Sequence, residues 1–443
     1  MILAALGSVG AELQAAVRWL NALMFGGSAF LVGFLAQRYT SSRSAALGTA
    51  FLFIFSADML LVHSMAWSEP VFIFLLLFSL MLLDGYLETG WPHFLVGAGV
   101  AAGLSVMDRY SGLALIWTGL AGLLILGQGK LRGRIVGCLI FGGVSCLPLV
   151  GWAMRNMSLA HSATDRALVW HAIGWTKVRS GLLTASHWFI PARFENVTVP
   201  LIAFCAMTYL SGQVLLAERR RKNGRPDARA PRIPHLFVLG ILCWVIFLAI
   251  SISLFDAYSP LDYRMLAPVY AMILLAAVPE VCWLMSRLRW SRRTTALAGC
   301  AIILLLAGAR GHTVPWIAKR SSDGEGYTSR AWKQSQVLKL LRAVQESTPI
   351  YSNADRGISF LTGRFIHEIP ARTDAASLLP DPDYEARMGK MGEDLRDRNG
   401  VLLIVDLREW SFSVPSEKEL VVRFRLRVKE EASDGKIYTA EAH

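Results

Sequence analysis

The sequence has few cysteines and few charged residues, and both shortages narrow what the chain can be. Only six of its 443 residues are cysteine. All six fall within hydrophobic stretches, so neither a disulfide-stapled fold nor a cysteine metal site is indicated. Charged residues make up 18% of the chain and hydrophobic residues 54%. That balance excludes an ordinary soluble globular protein and is typical of a polytopic membrane protein.

Several other features are missing. The C-terminal part has no Gly-rich phosphate loop, so no nucleotide site is predicted. No internal repeat is present, which counts against transporter folds built from detectable repeats. The first residues have neither a basic region nor a cleavage site and do not form a signal peptide. No cofactor is predicted, no metal-ligand spacing is found, and the use of a divalent metal is left open.

Long hydrophobic runs, in contrast, are abundant. A run of about 20 residues crosses a bilayer as a helix, and about ten such runs are present. They cover roughly residues 17–36, 45–66, 69–87, 92–107, 111–127, 134–153, 198–216, 235–254, 264–284 and 294–309. We therefore predict an α-helical polytopic membrane protein of about ten spans. Its transmembrane domain covers 1–309, with an outer loop at about 152–199, and a soluble extracytoplasmic α/β domain covers 310–443.

The net charge of +12 is carried largely by the short loops between spans. Basic residues cluster at 219–232 and 287–293, with smaller groups at 130–134 and 38–43. The positive-inside rule places these loops in the cytoplasm, and the N-terminus and C-terminal domain outside it. This distribution indicates membrane topology and no nucleic-acid partner. Binding of anionic lipid headgroups is the alternative interpretation.

The C-terminal part alternates helical and extended patterns. Residues 330–345 repeat apolar residues at helical spacing, and short apolar runs at 349–351, 365–369 and 401–406 predict strands. Residues 419–428, ELVVRFRLRV, alternate with period two and predict a strand with one wet face. A small α/β domain is the expected result.

Charged residues gather at the outer ends of the spans, where an ionisable group is costly and often functional. Glu69 begins the third span after Ser68 and is a candidate catalytic carboxylate. The other interpretation is that Ser68 or Glu69 only caps the helix and that the helix dipole favours the acid there. Arg109 and Tyr110 separate two short apolar helices and are predicted to bind substrate. Arg109 either binds a phosphate or pairs with the adjacent Asp108.

Two further groups complete the predicted outer site. Asp262 and Arg264 lie in the outer turn between the eighth and ninth spans and are either substrate-binding or solvated turn residues. His161 and Asp165 in the long outer loop are either substrate-binding or solvated loop residues. Cations and carboxylates at one membrane face suit departure of a lipid-linked phosphate and attack by an acceptor hydroxyl.

Several short motifs resemble those of one family of membrane enzymes. They are RWLNAL at 18–23, SEP at 68–70, GLS at 103–105 leading to DRYSG at 108–112, and DYRMLAP at 262–268. In this order they resemble the polytopic GT-C glycosyltransferases, most closely the bacterial protein-mannosyltransferase and aminoarabinose-transferase-like group. IYSN at 350–353 followed by LTGR at 361–364 is similar to the exported domain that some of these proteins carry. The resemblance covers nearly the whole chain, and its specificity lies in the order of loose motifs.

The resemblance implies transfer of a sugar from a polyprenyl-phosphate donor to a lipid, glycan or protein acceptor. The reaction would occur on the outer face of the bacterial inner (plasma) membrane, with membrane lipid as a further partner. By position, Glu69, Arg109 and Arg264 would line the cavity. The closest group implies no metal, although some GT-C relatives use one.

One part of the family pattern has no match. Family members usually begin with an additional span and an outer loop that carries the acidic base, and this sequence has no match for that acidic residue. We expect either that the natural start lies upstream or that the chain is an inactive relative acting as a partner subunit. A carrier or flippase for a lipid-linked or anionic substrate is the alternative from another class. A carrier needs polar residues in mid-span, whereas the ionisable residues here lie mostly at the outer ends.

Overall fold

The protein is described by a computed structural model that covers most of the chain. The described residues are 7–8, 10, 12–160, 167–190, 194, 196–206, 208–209, 212, 235–287, 313–408 and 410–441. The chain divides into two compact units. The first unit comprises Met1–Asp165, Ala172–Ser253 and Pro260–Trp316, and the second comprises Arg166–His171, Leu254–Ser259 and Ile317–His443.

The described part of the first unit contains helices and no strands. Its helices include α1 (Leu13–Thr40), α2 (Arg43–Ile54), α3 (Ala57–Ser64), α4 (Glu69–Thr89), α5 (Pro92–Asp108), α6 (Gly112–Ile125), α7 (Leu131–Ala160), α8 (Trp175–Ser186), α9 (His235–Leu254) and α10 (Tyr263–Arg287). Residues 198–206 are also helical. Their buried aliphatic and aromatic side chains form one continuous core, and several polar side chains, including Glu69, are buried among the same helices.

Five of these helices are long and apolar enough to cross a membrane, namely α1, α4, α7, α9 and α10. Each coincides with a span predicted from the sequence. The fourth and fifth predicted spans are the shorter helices α5 and α6. The seventh lies partly, and the tenth wholly, outside the described residues. The apolar helices are consistent with a multi-pass membrane protein.

The second predicted span is two helices instead of one. α2 and α3 meet at an angle of 58°. Ser56 has extended backbone, and its hydroxyl accepts from the backbone N–H of Met59, which caps α3. Since a helix begins anew at such a cap, the apolar run breaks there despite its unbroken hydropathy.

The turn between α5 and α6 depends on a glycine. Gly112 donates its N–H to the carbonyl of Arg109 at 2.8 Å. A Cβ at Gly112 would lie 2.5 Å from the Val106 nitrogen and 2.7 Å from the Ser105 carbonyl carbon. No side chain fits there unless the backbone of α5 moves.

We therefore expect Gly112→Ala to lower the free energy of unfolding by about 2 kcal/mol, because overpacking forces a backbone shift. Thermal unfolding in detergent measures the loss. Gly143→Ala on α7 is the matched control, since its Cβ would meet nothing within 4 Å. Equal unfolding temperatures for the two variants would contradict the close approach.

The second unit contains a five-stranded sheet in the order β2-β1-β3-β5-β4. Its strands are β1 (Ile350–Ser352), β2 (His367–Glu368), β3 (Val401–Val405), β4 (Leu426–Ala432) and β5 (Gly435–Ala440), and its helices are α11 (Thr313–Asp323, whose first turn belongs to the first unit), α12 (Arg330–Lys333), α13 (Gln336–Leu341), α14 (Asp355–Thr362), α15 (Tyr384–Asp397) and α16 (Glu417–Phe424). β1 pairs in parallel with β2 and β3, whereas β5 is antiparallel to β3 and β4.

Both faces of this sheet are covered. Side chains alternate along a strand, so β3 sends Val401, Leu403 and Val405 to one core and Leu402 and Ile404 to the other. Residues of α13 and α14 complete the first core. Residues of α15 and α16 complete the second. The result is a small three-layer α/β arrangement.

The strands predicted at 349–351, 365–369 and 401–406 are found, with small shifts, as β1, β2 and β3. The strand predicted at 419–428 is wrong. Glu417–Phe424 is helix α16, and only the end of the predicted segment enters β4. Ser416 and Glu419 form a capping box, in which each side chain binds the other residue's backbone N–H, and this starts a helix where the alternation indicated a strand.

Candidate functional site

The candidate site lies where α4 begins, α5 ends and α10 begins. Glu69 is the first residue of α4 and is followed by Pro70, which suits the first turn of a helix. The Glu69 side chain is only 2% exposed. Its Oε1 accepts ion pairs from Nη1 of Arg109 and Nε of Arg264. We call Glu69, Arg109 and Arg264 the arginine–glutamate cluster.

Arg109 reaches this cluster because the chain leaves α5 at that residue with extended backbone, φ −150° and ψ 135°. Its side chain is 16% exposed. Nη1 also donates to the Ser68 hydroxyl at 3.2 Å, and Nη2 lies 3.8 Å from the Met265 sulfur. Ser68 therefore binds the arginine and does not cap α4 through its side chain.

Arg264 enters from the first turn of α10 and is the more accessible cation, with 36% of its side chain exposed. Its guanidinium carbon lies 4.5 Å from the centre of the Trp67 ring, in a cation–π contact. A guanidinium has five N–H donors, and the described partners of Arg109 and Arg264 do not engage all of them. The cluster carries two positive charges against one negative charge.

Asp262 caps the helix that carries Arg264. Its Oδ1 accepts from the backbone N–H groups of Arg264 and Met265, at 3.1 Å each. This is the geometry of a helix N-cap. The substrate-binding role predicted for Asp262 stays a prediction, and the structure gives this residue a capping role at the start of α10.

A cavity of about 230 Å³ lies beside Arg109. It is lined by Val106, Met107, Asp108, Arg109, Tyr110, Leu149 and Trp152. Tyr110, predicted to bind substrate, is half exposed and forms part of this wall. Trp152, which also lines the cavity, makes a cation–π contact with Arg155. The guanidinium carbon of Arg155 lies 5.1 Å from the centre of the Trp152 ring.

Asp108 is the residue whose role the sequence did not resolve. The sequence allowed it to be the partner of Arg109, but the structure gives that part to Glu69. The Oδ2 of Asp108 is buried without a hydrogen-bond partner among the described residues, and so is the Oε2 of Glu69. A buried carboxylate oxygen without a donor is costly, so both atoms mark places where a ligand proton would fit.

His161 and Asp165 lie outside the described residues. Within the part of the chain that the structure describes, no three His, Cys, Asp or Glu side chains are grouped to hold a metal ion. Trp67 and Trp152 contribute to the site without having been predicted, because hydropathy does not distinguish a site-lining tryptophan from one at the membrane interface.

Comparison with known proteins adds no family to this geometry. No protein-family model matches the chain, and no curated protein matches its sequence significantly.

Proposed function

We propose that the chain is a membrane glycosyltransferase. It moves a sugar from a polyprenyl-phosphate donor to a lipid, glycan or protein acceptor on the outer face of a bacterial inner membrane. The observation that carries the proposal is the convergence of two guanidinium groups on one buried carboxylate at the ends of apolar helices. Guanidinium groups bind phosphate oxygens through paired N–H donors and are always charged. Arg109 and Arg264 are therefore assigned to the phosphate of the lipid donor.

The reaction needs a nucleophile, a leaving group and a base. The acceptor hydroxyl oxygen forms a bond to the anomeric carbon while the bond from that carbon to the phosphate oxygen breaks. The electron pair leaves with polyprenyl phosphate, and the two arginines stabilise the added negative charge. The acceptor proton passes to a carboxylate within hydrogen-bond reach.

We assign Asp108 as the carboxylate that accepts the proton of the acceptor hydroxyl. Its Oδ2 is unpartnered among the described residues, and the residue lines the cavity directly beside Arg109. Glu69 is less suited to this role because its side chain is 2% exposed and its Oε1 already holds both arginines. In this proposal Glu69 is a positioning residue that fixes the two guanidinium groups relative to each other.

The proposal is tested with the purified protein in sealed liposomes. The liposomes contain undecaprenyl phosphate linked to radiolabelled mannose, glucose or aminoarabinose, and membranes of the source cells supply the acceptor. We expect label from one donor to move into an acceptor fraction separable from the lipid donor by thin-layer chromatography. Movement of label across the bilayer without a glycosylated product would instead identify a carrier, and failure of all three donors would also contradict the proposal.

Replacing Glu69 with glutamine tests its positioning role. The amide keeps the shape but loses the charge that holds both arginines, so we expect transfer to fall at least about tenfold, or about 1.4 kcal/mol in the barrier. KM for the lipid donor should rise, because the guanidinium groups no longer share one anchor.

Glu88→Gln is the matched control, since Glu88 lies near the other end of α4 and pairs with Arg38. Its transfer rate should match that of the unmodified protein. Wild-type donor KM in a folded Glu69→Gln variant would show that the carboxylate does not position the arginines.

A further inference from the structure

The second unit contains a cavity that the proposed reaction does not use. Its volume is about 470 Å³, and it lies where β1 and β2 approach the first turn of α14 and one side of α15. It is lined by Tyr351, Asp355, Arg356, Phe365, Ile366, His367, Glu368, Pro370, Arg387 and Lys390. The lining thus combines aromatic rings with charged groups of both signs.

The aromatic part is a short stack with one open end. Phe365 is 80% exposed. Its ring meets the His367 ring edge-on at 4.8 Å, and His367 stacks on Tyr351, also at 4.8 Å. The Tyr351 hydroxyl donates to Asp394 at 2.8 Å, which anchors the base of the stack. Single exposed apolar side chains are common on protein surfaces, but this one lines a cavity and is backed by ordered rings.

The charged part contains two cations that are not neutralised. Arg387 pairs with Asp381 and lies 3.6 Å from Glu368, and Asp355 lies 3.9 Å from Arg408. No ion pair involves Arg356 or Lys390 among the described residues. These two cations come from different helices, α14 and α15, and both line the same cavity.

A second cavity of similar volume in the same unit is also lined by basic residues but has no exposed aromatic ring in its lining. Its tryptophan, Trp332, is buried in the core, and its Arg364 donates to the carbonyls of Leu341, Val344 and Gln345. The groups lining that cavity are thus in part already used by the fold. The cavity at Phe365 offers an open ring face together with free positive charge.

We propose that this cavity binds a sugar unit that carries a negatively charged substituent. The apolar C–H face of a pyranose ring would lie on Phe365, and Arg356 and Lys390 would bind its phosphate or carboxylate. Pockets that fix a small polar ligand commonly combine an aromatic surface with a few convergent polar groups. This inference stands independently of the proposed transfer reaction, because it uses no residue of the arginine–glutamate cluster.

The test measures binding of glucose 6-phosphate to the full-length protein in detergent by saturation-transfer NMR. Glucose and inorganic phosphate serve as competitors. We expect saturable binding of glucose 6-phosphate, with each competitor at least about tenfold weaker. Inorganic phosphate that competes as well as glucose 6-phosphate would indicate an adventitious anion site and overturn the proposal, as would absence of binding.

Two variants separate the two halves of the site. Phe365→Ala should weaken glucose 6-phosphate binding at least about fivefold, roughly 1 kcal/mol. Lys390→Gln should reduce the ratio by which the protein binds glucose 6-phosphate more tightly than glucose. Phe360→Ala is the matched control, because Phe360 is an exposed phenylalanine on α14 that does not line the cavity. Unchanged binding by Phe365→Ala, or an equal loss in Phe360→Ala, would contradict the assignment.

Discussion

Asp108→Asn is expected to lower sugar transfer by about 1000-fold, because a positioned general base contributes about 10² to 10⁴ to such reactions. The amide keeps the size of the side chain but takes up a proton far less readily. The loss should appear in kcat, with KM for the lipid donor little changed, since the phosphate is assigned to the arginines. The measurement is initial-rate transfer in liposomes over a range of donor concentrations.

The control for this variant is Asp84→Asn. Asp84 lies on α4 and does not line the cavity. Its Oδ2 lies 3.1 Å from Nη2 of Arg38, with which it forms an ion pair. Its rate should stay close to that of the unmodified protein. A folded Asp108→Asn protein that transfers sugar at the normal rate would remove Asp108 from the mechanism and leave the base unassigned.

Arg109→Ala is expected to lower kcat/KM for the lipid donor by about 100-fold, or about 2.7 kcal/mol in the barrier. Removal of one donor that stabilises developing negative charge costs about this much in other enzymes. Arg109→Lys should recover only part of the loss, since lysine restores the charge without the two-pronged geometry of a guanidinium. Steady-state kinetics with varied donor concentration measures both.

Arg179→Ala provides the comparison, because Arg179 is an exposed arginine on α8 that belongs neither to the cluster nor to the cavity lining. Its kinetics should be unchanged. If the Arg109→Lys variant were as active as the unmodified protein, a single positive charge would be enough to stabilise the phosphate. The assignment of paired N–H donors of Arg109 to the phosphate would then be wrong.

The sequence predicted which charged residues form the site, but it did not predict which of them form ion pairs with each other. Hydropathy placed Glu69, Arg109 and Arg264 at one end of the spans, and the structure brings all three together. Sequence adjacency suggested Asp108 as the partner of Arg109. Neighbouring residues at a helix end point in different directions, and the chain turns to extended backbone at Arg109. Only the packing of α4 against α5 selects Glu69.

For the fold as well, some helices and strands were predictable from the sequence and others were not. Long apolar runs predicted most described helices of the first unit well, because a membrane span needs about 20 consecutive apolar residues whether a side chain faces lipid or the protein interior. The alternation at 419–428 gave a wrong prediction, because the capping box at Ser416 and Glu419 stabilises the start of a helix there. The capping signal was readable in the sequence as Ser followed three residues later by Glu.

The arginine–glutamate cluster also has a consequence for biosynthesis. Arg264 follows Glu69 by 195 residues, and chains grow at about 5 to 20 residues per second. For roughly 10 to 40 seconds after Glu69 has been synthesised, its second cation does not yet exist. Arg109 follows Glu69 sooner along the chain, so until α10 is made Glu69 can pair with Arg109 at most. The arginine–glutamate cluster is therefore completed only when α10 is made, so a nascent chain does not carry the full cluster while its earlier helices are being inserted.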